Sequence, residues 1–432
     1  MQDTHTRPTG RFNALTALGA MPAAALSFAA WLQVSAVSWL LSARYQLELH
    51  EIGLVWAAGP LAAIAAQLLA GRWSDRHWRA GGRRRPFILA GGALAALTLL
   101  LLPRLDTLGA LLGVGNLLVL AAIAAFTFEL ALNAALGPAR ALVADLTQDG
   151  APRTGGFAWM QALAGCLGAL AYLAGSWFEI GAVMTAGALA VFAFAVLPLL
   201  FVREPQNLSA APVDEAASHA QPGQLWRICL AHGVAWLGVQ AMLVYTIAFA
   251  QRYTVPLYDT PESIATQSAH VIALAFGLMN VAGCVATPLL LAPLATRFGR
   301  VRTHAACMAL MAAACFAIAF KARSPHMLYA LMAVAGIGWG AMLSLPLAIF
   351  SEQAARSRMA YLMGVFNLSI VVPQLMAVGV GFALGGTSEK KLLFVVCGSC
   401  LAVSALLWLR VGERRGARGA GVVTEATATG LN

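Results

Sequence analysis

GRWSDRHWRAGGRRRPFILAGG, residues 71–92, packs Arg72, Arg76, Arg79, Arg83, Arg84 and Arg85 into fourteen positions and then runs straight into apolar sequence. A nucleic-acid-binding surface would scatter aromatics among such charges on a polar face. Here hydrocarbon side chains hem the arginines in on both sides. The composition says why: of 432 residues, 60% are hydrophobic and 11% charged, against about 25% charged in soluble domains. A chain this long and this apolar cannot hide its surface in one soluble core, so the bilayer is its solvent.

Apolar runs of about 18 to 25 residues number twelve, at 14–42, 51–70, 86–103, 112–138, 156–177, 180–202, 226–250, 267–292, 303–321, 326–350, 361–386 and 392–409. They predict an all-α membrane protein of twelve transmembrane helices, with kinks expected at Pro60, Pro198, Pro288, Pro346 and Pro373. With the amino terminus in the cytoplasm, 21 of the 28 Lys and Arg fall on the cytoplasmic side and 7 on the outer side. That bias places both termini inside. The net charge of +10 is then a topology signal rather than a nucleic-acid footprint. MPAAALSFAA (21–30) resembles a signal-cleavage context, but the hydrophobic run continues past it and reads as an uncleaved first span. The seven cysteines all lie in predicted spans, and the CxxC of Cys397 and Cys400 reads as helix packing.

The Pro- and Ala-rich segment REPQNLSAAPVDEAASHAQPGQ divides the chain six plus six. Residues 1–202 are expected to form an amino-terminal six-helix bundle, 203–224 a cytoplasmic linker, 225–410 a carboxyl-terminal bundle and 411–432 a disordered cytoplasmic tail. This is the layout of the major facilitator fold, whose halves are parallel repeats. The halves echo each other: Gly82-Arg83 follows the second span and Gly299-Arg300 the eighth, with Thr296 where the first copy has Asp75.

Gly-x-x-Ser-Asp followed by Gly-Arg-Arg-Arg resembles the cytoplasmic loop signature of major facilitator transporters. The resemblance implies an inner gate in which Gly71 permits close helix approach, Asp75 bonds across the closed ends, and Arg83, Arg84 and Arg85 hold facing helices and lipid headgroups. The match narrows further. GRWSDRHWRAGGRRRPFILAGG is similar to the equivalent loop of sucrose–proton symporters of plants and their animal and bacterial relatives. LNAALGPARALVADL (132–146), which brings Asp145 into the gating set, and GVFNLSIVVPQ (364–374) are similar to further segments of that family. Smaller echoes are LHEIGLVWAAGP (49–60), with His50 where the family has an outer-loop histidine, and Gln67 before the first motif. The chain departs from the family at Glu129, where the family has aspartate, at Ile247 in place of a span-seven aspartate, and at Gly168 in place of an asparagine.

Of the 18 acidic residues, Glu129 alone lies deep in a predicted span. Arg140, eleven residues or about 16 Å further along a helix, is read as the cytoplasmic edge. An ionised carboxylate near mid-bilayer costs several kcal/mol, so the group exchanges its proton only when wetted from one side. Asn133 and Arg140 share its helix face, at four and eleven residues' spacing. Proton coupling is the functional reading; a carboxyl that hydrogen-bonds a neighbouring helix is the structural one.

Gln33, Gln161, Gln240, His50, Asn367 and Gln374 complete the candidate substrate contacts, together with Asn133 and Arg140; Ser35 and Ser38 are weaker candidates. Trp31, Trp159, Trp236 and Tyr245 could stack on a pyranose. His232 and His270 read as satisfied helix residues, and no nucleotide loop, metal-ligand cluster or nucleophile constellation stands out. The resulting expectation is a monomeric proton-coupled symporter of the plasma (inner) membrane, importing sucrose or a related disaccharide or glycoside. It needs no cofactor or metal, is not an enzyme, and touches protons, its small-molecule substrate and lipids. Another sugar, an amphiphilic metabolite, or a non-transporting assembly or sensor protein on the same fold are the alternatives.

Overall fold

A computed structural model of the chain describes residues 14–39, 49–76, 82–202, 204, 222–254, 261–385 and 389–413. The described residues are helical with short connections and no strand. Lipid offers no partner for backbone N–H and C=O groups, so a chain of this composition must satisfy them within each segment. Twelve long helices result: α1 (Ala14–Trp39), α2 (Leu49–Arg76), α3 (Arg85–Leu101), α4 (Leu117–Leu146), α5 (Ala151–Trp177), α6 (Ile180–Val196), α7 (Pro222–Tyr253), α8 (Pro261–Ala286), α9 (Arg300–Lys321), α10 (Pro325–Gln353), α11 (Met359–Gly385) and α12 (Leu392–Trp408). Asn116 caps α4 by accepting from the Val119 amide, and Ser324 caps α10 by accepting from that of Met327.

Several ends differ from the sequence expectation. The third span does not stop at 103. Pro103 turns it through a 3-10 segment (Leu102–Arg104), and a further helix carries it to Leu112. The fourth runs on through ALVADL, past Arg140 to Leu146, so Arg140 is not the edge of the helix. Of the expected kinks, Pro198 starts a short helix (Pro198–Phe201) after α6, and Pro288 lies in a π turn (Thr287–Leu291) after α8. Pro346 and Pro373 sit inside uninterrupted helices.

The packing is a repeat. In the first half α2 and α3 pack on α4, α1 on α5, and both α1 and α3 on α6; each pairing recurs in the second half with every helix advanced by six. Buried alanines let the helices approach, as with Ala20, Ala23, Ala24 and Ala29 on α1. The halves meet along two seams, α2 and α4 against α11 and α5 against α8 and α10, which the same six-helix shift exchanges. We call the end of the bundles that carries Asp75, Glu204 and Glu413 the linker side.

On the second seam the Sγ atoms of Cys166 (α5) and Cys284 (α8) lie 3.3 Å apart. This proximity makes the arrangement of the halves testable. Copper–phenanthroline oxidation followed by cleavage within 205–221 should leave the two halves joined on a non-reducing gel, and Cys166→Ser should abolish the link.

Candidate functional site

Glu129 sits on α4, seventeen residues short of the linker-side end at Leu146 and half-buried. The amide of Asn133, one turn further on, donates to its Oε2 at 2.8 Å and to its own backbone carbonyl, also at 2.8 Å. Gln67 of α2 donates to the Asn133 carbonyl at 2.6 Å, and Gln33 of α1 hydrogen-bonds the Glu129 carboxyl. Gly59 of α2 leaves room beside it: a Cβ there would stand 3.3 Å from the Glu129 Cγ. Two amides thus converge on one acid, from α1 and from its own helix, with Gln67 of α2 behind the second, and among the described residues no Lys or Arg pairs with it. Asn133 supports the carboxyl as an acceptor, and a protonated carboxyl can keep that bond at one oxygen while its other oxygen carries the proton.

Helices α1, α7 and α10 each bring a tryptophan to a shared cluster. Trp31 (α1) meets Trp339 (α10) edge-on at 5.5 Å, and Trp236 (α7) meets Trp339 at 5.8 Å. Their indole donors are fixed: Trp339 Nε1 donates to Asn280 at 3.0 Å, and Trp236 Nε1 to His232 Nε2 at 2.9 Å. His232 in turn stacks on Phe366 of α11. Trp339 and Trp236 are buried, whereas Trp31 keeps more of its surface open.

On the linker side the halves are tied through charge. The Asp75 carboxylate accepts from the Ala360 and Tyr361 amides at the start of α11, at 3.1 and 2.8 Å, and from Arg84 at 2.5 Å. It therefore caps a helix of the other bundle, where unsatisfied N–H groups and the helix dipole favour an anion. Asp145, at the end of α4, accepts from Arg83 and from Arg84, each at 3.0 Å. Burial acts against the Arg84 cation, but Asp145 and Asp75 outweigh it and hold its pKa above the ordinary arginine value. Gly71 makes the approach possible: a Cβ would lie 2.7 Å from the Ala360 carbonyl oxygen and 2.9 Å from the Tyr361 Cα, both backbone atoms that cannot swing aside.

The turn that presents these arginines is itself clamped. Glu204, just beyond α6, accepts from the backbone amides of Arg83, Arg84 and Arg85, each at 2.9 Å. Gly82 holds φ +96°, and a Cβ there would meet the Glu204 carboxylate at 2.5 Å. The second half repeats the device: Gly299 holds φ +94°, and Glu413, just beyond α12, accepts from the Arg300 amide at 2.8 Å. Thr296 does not take the part of Asp75; its hydroxyl bonds its own helix at Ala292. Glu352 at the end of α10 acts instead, pairing with Arg300 and accepting from the Gly150 amide, at the start of α5, at 2.5 Å.

The residues singled out in the sequence thus fall into two groups. Glu129, Asn133 and Gln33 form one network; Gly71, Asp75, Arg83, Arg84 and Asp145 form the linker-side tie, where Arg85 contributes its backbone amide. Arg140, expected at an edge, lies between the halves and donates to Asn367 of α11 at 3.3 Å. Among the described residues Gln161, Gln240 and Gln374 do not hydrogen-bond the acid network, and the side chains of Ser35, Ser38 and His50 lie outside the described residues. Glu204, Glu352, Glu413 and Arg300 went unrecognised as functional in the sequence, although the Gly-Arg repeat pointed to the turns that two of them clamp.

A sequence model of the Major Facilitator Superfamily matches residues 21–263 and 260–428, so the chain belongs to that superfamily of integral membrane transporters. Among curated relatives, the sucrose transport protein SUC4 of Arabidopsis thaliana is 27% identical over 272 residues, 52% of each chain. The general alpha-glucoside permease of Schizosaccharomyces pombe is 24% identical over 275 residues, 55% of this chain and 49% of its own. The chain spans about half the length of the curated relatives it matches. Among solved structures, the E. coli fucose:proton symporter superposes with a TM-score of 0.66 at 16% identity, over 92% of this chain and 98% of its own. A bacterial homologue of the iron transporter ferroportin, in an outward-facing state, gives 0.66 at 15% identity over 92% and 99%.

Asp75→Asn keeps the size but removes the charge from the α11 cap. Charge-assisted bonds contribute about 1.5–3 kcal/mol, so the variant should raise hydrogen exchange of the Ala360 and Tyr361 amides by roughly ten- to a hundredfold. Gly71→Ala should do the same by steric means while leaving exchange within α4 unchanged. Unaltered exchange in both variants would show that neither residue holds the ends together.

Proposed function

We propose that this protein is a proton-coupled symporter that imports sucrose or a related disaccharide or glycoside by alternating access of its two bundles. The observation that carries the reading is Glu129: a mid-helix carboxyl held by the amides of Gln33 (α1) and Asn133 (α4), the second of them held in turn by Gln67 of α2, with no Lys or Arg among the described residues fixing its charge. An acid so placed can take up and release a proton as solvent reaches it from alternate sides. The sucrose transport proteins and the alpha-glucoside permease among the relatives favour a glycoside as cargo. The Trp31–Trp339–Trp236 cluster offers an aromatic floor of the kind on which an apolar sugar face can stack.

The excess of Lys and Arg on the linker side puts that side in the cytoplasm. The Asp75 and Glu352 ties are then the shut inner gate of an outward-facing carrier. A proton entering through ~150 mV supplies about 3.5 kcal/mol, enough for a several-hundred-fold accumulation of a neutral solute. A different sugar or an amphiphilic metabolite is the second reading. It is favoured by Ile247, an exposed apolar side chain on α7 where the resembling family carries an acid.

Purified protein in vesicles with an imposed pH gradient, screened across disaccharides, tests both readings. Glu129→Gln should still bind and exchange sugar but fail to accumulate it, because glutamine keeps the hydrogen bonds of a protonated glutamate and cannot release a proton. Glu129→Asp should retain partial coupling. Accumulation by a folded Glu129→Gln protein, with an unchanged pH profile, would falsify the coupling role.

A further inference from the structure

Arg72 and Arg76 are not used by the linker-side tie. Both project from the end of α2 into a cavity of about 370 Å³, lined also by Asp75, Ser357, Arg358 and Tyr361. The cavity lies in the range of small-ligand sites, and it exists only because the end of α2 has docked on the α10–α11 turn. Its walls therefore come from both bundles.

The charges in it do not balance. Asp75 is spent on Arg84 and the α11 amides. Among the described residues no acid pairs with Arg72, Arg76 or Arg358; the Arg358 guanidinium lies 5.0 Å over the Tyr361 ring instead. Three guanidinium groups, which present forked donors suited to phosphate oxygens, thus face one space beside the Ser357 hydroxyl. A second observation points to where the anion comes from. Leu69 and Trp73, spaced with Arg72 and Arg76 on one α2 face, are 70% and 64% exposed, and Trp73 meets Phe87 edge-on. An apolar stripe that ends in tryptophan and then arginine is how a helix crosses from acyl chains to headgroups.

We propose that this cavity binds a phosphate-bearing ligand, supplied by a phospholipid headgroup, which bridges Arg72 and Arg76 of one bundle to Arg358 of the other and holds the linker side closed. A soluble phosphate monoester shares the binding chemistry, and the two sources are separable. Full-length protein, delipidated in a polyoxyethylene detergent, is titrated with dioleoylphosphatidylglycerol and separately with glycerol phosphate. Native mass spectrometry reads the bound ligand. The lipid should bind one to one, and Arg72→Gln/Arg76→Gln/Arg358→Gln should weaken it at least tenfold. A matched variant that removes three linker-side charges elsewhere, Arg297→Gln/Arg302→Gln/Arg410→Gln, should bind as the parent does. If the triple variant folds poorly, each single substitution should still weaken binding two- to threefold. Binding should also slow exchange of the Ala360 and Tyr361 amides. Glycerol phosphate binding with the same variant dependence would support the phosphate site and assign a soluble source. Equal binding by parent and site variant, or equal loss in both triple variants, would overturn the site; binding without slowed exchange would overturn its link to closure.

Discussion

The Asp75 carboxylate serves two masters: Arg84 of its own bundle and the first amides of α11 in the other. The contact of α2 with the start of α11 depends on that sharing. A buried guanidinium without a counterion is costly, and a helix end without acceptors is costly too. One anion relieves both, but only while the bundles touch. The tie is strong for its size because the Arg84, Asp75 and Asp145 side chains are buried, and it is reversible because water can replace each contact when the ends part.

The fold reaches this arrangement through repetition followed by divergence. Gly82 with Glu204 and Gly299 with Glu413 are two copies of one clamp, each aiming arginine at a carboxylate at the end of the fourth helix of its half, Asp145 or Glu352. The copies then part ways. The first half reaches α11 with an acid from its second helix, while the second half reaches the start of α5 with the acid of its fourth. The Glu129 network has no described counterpart in the second bundle, where α7, α9 and α11 contribute His232, His304 and Phe366 among apolar neighbours. Symmetry shaped the hinge surfaces, and asymmetry made the site.

Much of this was legible in the residues because lipid is a demanding solvent. Twelve apolar runs had to become twelve helices, and a lone glutamate among them had to find amides. The ends of helices were less legible. Arg140 read as the cytoplasmic edge of the bilayer; α4 continues past it to Leu146, and Asn367 from the opposite bundle gives it an acceptor. The third apolar run read as ending at 103, yet the chain turns there and resumes as helix to Leu112. Glu204 and Glu413 stayed hidden for a different reason. Each acts on a turn more than a hundred residues away, and nothing in the local pattern distinguishes a clamping glutamate from one that merely faces water.

Those two clamps also bear on how the protein is made. The turn before α3 finds its acceptor only after α6 has been synthesised, and the turn before α9 only after α12. Until Glu204 leaves the ribosome, the backbone amides of Arg83, Arg84 and Arg85 lack their acceptor, although Asp75 and Asp145 are already there to meet the arginine side chains. The same wait recurs for Glu413. Each clamp therefore closes late, and a ribosome pausing just short of either glutamate would leave an inserted bundle whose arginine-bearing turn still lacks its backbone acceptor.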